Sequence, residues 1–526
     1  MDRIRILDCT LRDGGYVNDF RFGKEAICEM IRKLANASID IIECGFLRSG
    51  DTDADRSTYG SVEELSGYIG RKNRSLMYVA MVQYGAISAE EICDCREDSI
   101  DGIRVTFHEH EIDPAFVLGR ALMDKGYKVF MQPVGTATYT DEALLALIMR
   151  INQLKPYAFY MVDTLGTMYK NDLLRMFYLM DHNLNRKIVL GFHSHNNLQL
   201  SFANAQELMQ LNTPRRLIVD SSVYGMGRGA GNLNTELVTQ YVNTNFGLKY
   251  DNLEILEMID EYVKPLSLKY SWGYNAAYYL ASAKGCHPNY ASYLLNKQTL
   301  HMKDINAILG TLDMEKRTLY DAEYAAEEYT KYQSHHVDDS ETVAFVQSQI
   351  DGKKVLLLAP GKSIVRQAGA VRNMAASKEA YVVCVNFIPK DVPCDMIFVS
   401  NTKRFRHRDF AAADAAVVVT SNVRQAGEGR YQVADYSSYL NEEYCVSDNA
   451  GLMCINLMKK AGAKRLLLAG FDGFSMDVRN NYYDNAFTVD VEAEDLGEMT
   501  LAIKRKLGQL KNQLDLEFLT ESMYKE

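Results

Sequence analysis

Between Ile4 and Ser221 the chain repeats one pattern: a short apolar run rich in Val, Ile, Phe and Tyr, then a longer amphipathic stretch. The runs are Ile4–Asp8, Ile39–Phe46, Leu76–Val82, Gly102–Phe107, Lys128–Pro133, Ala158–Asp163, Ile188–Ser194 and Leu217–Ser221. Each is followed by room for a helix, and together they fill roughly the 250 residues of a (β/α)8 barrel. A doubly wound sheet uses the same alternation but rarely needs eight repeats with nothing antiparallel. The expected architecture is therefore α/β, beginning with a (β/α)8 TIM barrel.

The polar residues support that expectation. Asp8 with Arg12 and Asp13, Glu43, Arg104, Gln132, Asp163, His193 with His195, and Asn232 all fall at or just past the ends of these runs. In a barrel those ends form one mouth, where chemistry is placed. His193 and His195 are two apart on a strand, so both imidazoles share a face and can bind one metal side by side. An H-x-H pair alone equally describes two satisfied or surface histidines. A carboxylate from the cluster Asp8-Cys9-Thr10-Leu11-Arg12-Asp13 added to two histidines makes a set suited to a catalytic divalent metal. Asp163 with Thr164 reads either as a helix cap or as a pocket residue. Gly225, Gly227, Gly229 and Gly231 read either as a tight turn or as a loop that approaches a ligand.

At 526 residues the chain exceeds one domain. The expected division is a barrel over 1–265, a Tyr-rich helical extension over 266–335 and a Rossmann-like α/β domain over 350–526. The last part carries the runs Val355–Ala359, Tyr381–Phe387, Met396–Val399, Ala415–Thr420 and Arg465–Phe471, which suit a parallel sheet with covering helices. After its first run, Ala359-Pro360-Gly361-Lys362-Ser363 looks like the end of a phosphate loop, but Leu356 stands where that motif needs its first Gly. A turn that meets a nucleotide through backbone N–H groups stays open.

A formal charge of −11 and the lack of a basic tract argue against nucleic acid as a partner. No signal-peptide core and no apolar stretch of about 18 residues occurs, so neither export nor a membrane span is expected. The ten cysteines show no spaced framework, which fits free thiols in a reducing cytoplasm.

Three stretches carry a family resemblance: Leu7-Asp8-Cys9-Thr10-Leu11-Arg12-Asp13-Gly14-Gly15, Gly191-Phe192-His193-Ser194-His195-Asn196-Asn197-Leu198, and Gly225-Met226-Gly227-Arg228-Gly229-Ala230-Gly231-Asn232. In order and spacing they resemble the signatures of the DRE-TIM metallolyases (HMGL-like), over about residues 1–300. The branch most similar is that of the 4-hydroxy-2-oxovalerate aldolases, because the Gly-rich stretch lacks the Glu-Arg pair of the synthases. Tyr274 to Tyr290 is similar to the helical region that in those aldolases packs on the barrel and shapes the substrate route.

The resemblance implies that Asp13, His193 and His195 ligate a divalent metal, Mn²⁺ or Mg²⁺, with Asn232 as a further ligand. It gives Arg12 the substrate's enolate oxygen and places Glu43 near the metal; on the pocket and ligand-loop readings above, Asp163, Gly227 and Gly229 meet the substrate. The implied reaction makes or breaks a C–C bond next to a 2-oxo acid, with an aldehyde as the other partner, in a homo-oligomeric enzyme. One departure stands out. The aldolases carry a basic histidine three residues after the metal-binding aspartate, and here that position is Tyr16. A phenol, with an ordinary pKa near about 10, is a poor base unless neighbours depress it. Tyr16 can be a tuned base, an orienter of water, or a pocket wall.

Two other readings compete. One is an acyl-CoA-dependent Claisen synthase on the same barrel. The other is a barrel serving as scaffold for the last domain, whose stretches Asp395–Ser400 and Ala469–Gly473 are similar in part to sialyltransferase-like surface-glycan transferases. That likeness makes a nucleotide or nucleotide-sugar a possible ligand there.

Overall fold

A computed structural model of the chain describes residues 3–51, 53–407, 410, 414–423, 431–475, 481–484 and 493–525. It contains two compact units, one of residues 1–289 with 314–319, the other of 290–313 with 320–526.

In the first unit the strands are β1 Ile4–Asp8, β2 Ile41–Leu47, β3 Thr58–Tyr59, β4 Met77–Gln83, β5 Gly102–Phe107, β6 Lys128–Pro133, β7 Ala158–Asp163, β8 Val189–Ser194 and β9 Leu217–Ser221. All pair in parallel in the order β1-β9-β8-β7-β6-β5-β4-β2, and β1 pairs with β2 to close an eight-stranded barrel. The eight expected runs are its staves. The two-residue β3, which pairs with the end of β2, lies outside the ring and is too short to show an apolar pattern.

Parallel strands buried on both faces read as continuous apolar runs, and alternate residues divide between two cores. The outward set packs against the surrounding helices, as with Ile4, Ile6, Ile103, Val105 and Val219. The inward set fills the barrel: Leu7, Ile41, Met77, Val79, Phe130, Ala158, Tyr160, Val189 and Ile218. Two inward positions are glycine because neighbours need the space. A Cβ on Gly102 would lie 2.5 Å from the Lys128 carbonyl oxygen and 2.9 Å from the Phe130 ring, and one on Gly191 only 2.2 Å from the Tyr160 ring. One step further along the same inward faces the residues turn polar: Glu43, Arg104, Gln132, His193 and Asp220, all buried. The apolar plug thus carries a charged layer at the C-terminal end of the strands.

The second unit holds a seven-stranded parallel sheet. Its strands are β10 Lys354–Leu358, β11 Ala380–Val385, β12 Met396–Val399, β13 Ala416–Thr420, β14 Gln432–Ala434, β15 Arg465–Ala469 and β16 Asp515–Phe518. The order is β14-β13-β12-β11-β10-β15-β16, with apolar cores on both faces. The edge strands β14 and β16 lack an apolar run in the sequence. β14 has three residues, and β16 alternates charge with apolar side chains, as suits a strand covered on one side. Among the described residues no helix is long and apolar enough to cross a membrane.

Candidate metal centre

After β1 the chain makes a tight turn in which the N–H groups of Arg12 and Asp13 both donate to the Cys9 carbonyl. Asp8 braces this turn. Its Oδ1 accepts from the Thr10 N–H at 2.9 Å and its Oδ2 from the Thr235 hydroxyl at 2.6 Å, while burial pushes its carboxyl up to about 6. The turn delivers Asp13 to the barrel mouth, and β8, two strands away in the ring, delivers His193 and, just past its end, His195. A carboxylate oxygen of Asp13 and one ring nitrogen from each histidine all lie within 4.8 Å of one another.

The chemistry of this set fits a divalent cation. Burial outweighs the pull of Asp13 on His195 and pushes its imidazole down to about 3, so the ring stays neutral and free to ligate. Burial alone would raise Asp13, but Arg12 and the histidines hold it well below the usual carboxylate range. His193 Nδ1 faces Asp220 Oδ2 at 3.1 Å, which fixes the proton on Nδ1 and leaves Nε2 available to a cation. The Nδ1 of His195 and the Oδ1 of Asn232 are both buried without a hydrogen-bond partner. Such orphans are costly unless something polar occupies the space between them. Asn232 meanwhile donates to Asp13 Oδ2 at 2.6 Å.

Behind the ligands lies a chain of buried charge. Arg12 donates from Nη1 to Asp13 and from Nε to Glu43 Oε2 at 2.9 Å. The same Glu43 oxygen accepts from Arg104, whose other terminal nitrogen donates to Asp220. Asp220 also accepts from the Tyr160 hydroxyl at 3.0 Å. Burial opposes the charge on Arg12, yet Glu43 and Asp13 outweigh it and hold its pKa well above the ordinary value. The planar guanidinium is therefore fixed as a cation beside Asp13.

The remaining expected residues are placed as follows. Gly227 leaves room for the Asn232–Asp13 contact, since a Cβ there would lie 2.4 Å from Asn232 Nδ2. Gly229 has φ +63° and sits against Pro288. Asp163 turns its carboxylate onto its own loop, accepting from the N–H groups of Thr167 at 2.9 Å and Met168 at 3.0 Å, and burial raises it to about 6. Tyr16 packs edge-on against Phe20 and Phe46, with the Arg228 guanidinium 4.0 Å above its ring.

Two contributors went unnoticed in the sequence, Asp220 and Tyr160, while His287 falls in the stretch Tyr274 to Tyr290 likened above to the helical region of the aldolases. A charged residue two positions after inward-facing Ile218 in β9 is the signal that could have found Asp220. His287 comes from the helical region and lies 3.2 Å from Arg228.

Fold and cluster define a class: a (β/α)8 barrel with an Asp-His-His cluster at its C-terminal mouth that could hold a metal ion. Residues 119–259 match the family model HMGL-like. Among similar proteins, an oxaloacetate decarboxylase of Mycobacterium tuberculosis is 28% identical over 234 residues, covering 44% of this chain and 67% of that protein. A 4-hydroxy-2-oxovalerate aldolase of Geobacillus genomosp. 3 is 27% identical over 275 residues, covering 50% of this chain and 77% of the relative. A Rhizobium etli pyruvate carboxylase structure superposes with a TM-score of 0.50 at 12% identity, covering 66% of this chain and 34% of that one, a likeness of fold.

Two outcomes follow from this geometry. Asp220→Asn keeps an acceptor for His193 but removes the charge, and should raise the Kd for Mn²⁺ by about 10–100-fold in calorimetry on protein with a native circular dichroism spectrum. An unchanged Kd would show that Asp220 does not set up His193. The second concerns acid. Burial pushes both His195 and His287 down to about 3, below the ordinary value near about 6.5. Between those limits the unfolded chain binds more protons, so the stability these rings contribute is full above about pH 6.5 and is lost as pH falls. The thermal midpoint of metal-free protein should drop on acidification from about pH 7 to about pH 4, and less steeply in a His195→Gln, His287→Gln double variant. Equal slopes would mean that both rings titrate normally.

Proposed function

We propose that the barrel is a divalent-metal-dependent lyase that makes or breaks a C–C bond next to a 2-oxo acid, in the manner of a 4-hydroxy-2-oxo-acid aldolase. The observation that carries this reading is the fixed, buried Arg12 cation directly beside an Asp13-His193-His195 cluster. Mn²⁺ or Mg²⁺ held by these three residues, with Asn232 Oδ1 as a further donor, would act as a Lewis acid toward the carboxylate and keto oxygens of a 2-oxo acid. Arg12 supplies preorganised positive charge where an enolate oxygen develops, and needs no rearrangement to do so. Glu43 holds the Arg12 fork in orientation from its Nε side. Tyr16 and its aromatic neighbours wall the adjacent space, and Asp163 shapes the loop after β7.

The similarity to an oxaloacetate decarboxylase favours one second reading. Loss of CO₂ from oxaloacetate leaves the same pyruvate enolate as retro-aldol cleavage, so both reactions need the same Arg12. For the second unit, the crevice where strand order reverses between β10 and β15 is the proposed seat of a nucleotide or nucleotide-sugar. Asp472 accepts there from the N–H and hydroxyl of Ser363, and a phosphate at this turn has to displace it. No disulfide joins cysteines among the described residues, which supports a reducing compartment.

The test is exchange of the C3 protons of pyruvate in D2O, followed by NMR. Metal-dependent exchange is expected, abolished in Asp13→Ala and His195→Ala. In Arg12→Lys it should fall by about 100-fold or more, because a point charge cannot reproduce the planar fork. Wild-type rates in the Arg12 variant would remove Arg12 from enolate stabilisation.

A further inference from the structure

Two arginines at the mouth stand outside its buried chain of ion pairs. The inner chain holds three carboxylates, Asp13, Glu43 and Asp220, against two guanidiniums, Arg12 and Arg104. A divalent cation and the carboxylate of one 2-oxo acid bring that set to neutrality. Arg48 and Arg228 remain. Arg48 follows β2, and Arg228 lies in the glycine loop that carries Asn232, so both stand at the C-terminal rim. Neither makes an ion pair among the described residues, whereas Arg21 and Arg56 on the loops beside them pair with Asp53 and Asp19.

Both unpaired guanidiniums are held over one aromatic floor. Arg228 stacks 4.0 Å from the centre of the Tyr16 ring. Arg48 lies 4.9 Å from Phe46 and 5.1 Å from Phe20. The three rings touch one another edge-on, with centroids 5.2 to 6.0 Å apart. Stacking fixes the plane of each guanidinium; Arg228 Nη1 faces His287 Nε2 at 3.2 Å, and the remaining N–H groups of both arginines are left to grip an anion. The polar neighbour of Arg228, His287, carries no compensating negative charge. Tyr16 is three residues from Asp13, so this floor adjoins the metal centre on one side.

We infer that Arg48 and Arg228 form an anion subsite, and that the barrel's substrate carries a second anionic group, a carboxylate or phosphate, on its aldehyde half. This rests on the lyase reading above. It also gives Tyr16 a role: it is the platform that aligns Arg228 toward the substrate's distal end.

Two matched acceptor pairs test it in the pyruvate aldol direction with the full chain and Mn²⁺: succinic semialdehyde against butanal, and glyceraldehyde 3-phosphate against glyceraldehyde. The anionic member of at least one pair should be favoured in kcat/KM by about tenfold or more. Preference in the first pair identifies a carboxylate, in the second a phosphate. In Arg48→Met and in Arg228→Met the preference ratio, taken within each variant, should fall by about threefold or more. Ratios within about twofold of unity in the wild type, while pyruvate C3 exchange proceeds, would overturn the subsite and leave the lyase reading standing. A ratio unmoved by both variants would overturn it equally. Absence of C3 exchange in the wild type would remove the lyase reading and this inference with it.

Discussion

Arg104 has no exposed surface, and a guanidinium taken wholly out of water is tolerable only where carboxylates and hydrogen bonds match it. Here Glu43 and Asp220 do so from opposite sides, outweighing burial and keeping its charge. That one side chain thereby links β2, β5 and β9 across the barrel axis. Through Glu43 it fixes Arg12, and through Asp220 it fixes the tautomer of His193. Both the cation beside the Asp13-His193-His195 cluster and one member of that cluster depend on the same buried contact. Truncating Arg104 leaves two buried carboxylates facing each other, a loss of roughly 3–5 kcal/mol for a broken buried pair.

The inner glycines serve the same end from below. Gly191 gives its space to the Tyr160 ring, and the Tyr160 hydroxyl reaches up to Asp220. The Arg104 guanidinium also lies 4.9 Å over that ring. Packing in the plug and charge at the mouth are therefore one construction, in which a missing side chain on β8 lets a ring on β7 support a carboxylate on β9.

Much of this was legible in the sequence. Parallel strands buried on both faces announce themselves as apolar runs, so all eight staves could be read, and residues at the ends of staves had to meet at one rim. Asp13, His193, His195 and Asn232 do converge there. Asp220 and Tyr160 were not legible because they lie inside runs read as apolar, and their side of the strand is decided by the closure of β1 on β2. The pairing of Glu43 with two arginines depends on register across the barrel in the same way. His287 and Arg228 meet through the helical region after the barrel, whose path no local pattern encodes. Asp163 shows the opposite case: a rim position marked it for the pocket or for a cap, and the structure shows both of its oxygens on backbone N–H groups of its own loop.

The central claim is that Asp13, His193 and His195 together hold one divalent cation. Pulsed electron paramagnetic resonance of Mn²⁺-loaded protein, with the histidine rings ¹⁵N-labelled, tests it directly. The account predicts one bound Mn²⁺ per chain coupled to two imidazole nitrogens, with one coupling lost in His195→Ala. A Mn²⁺ signal with no imidazole coupling, or one unchanged in that variant, would contradict it.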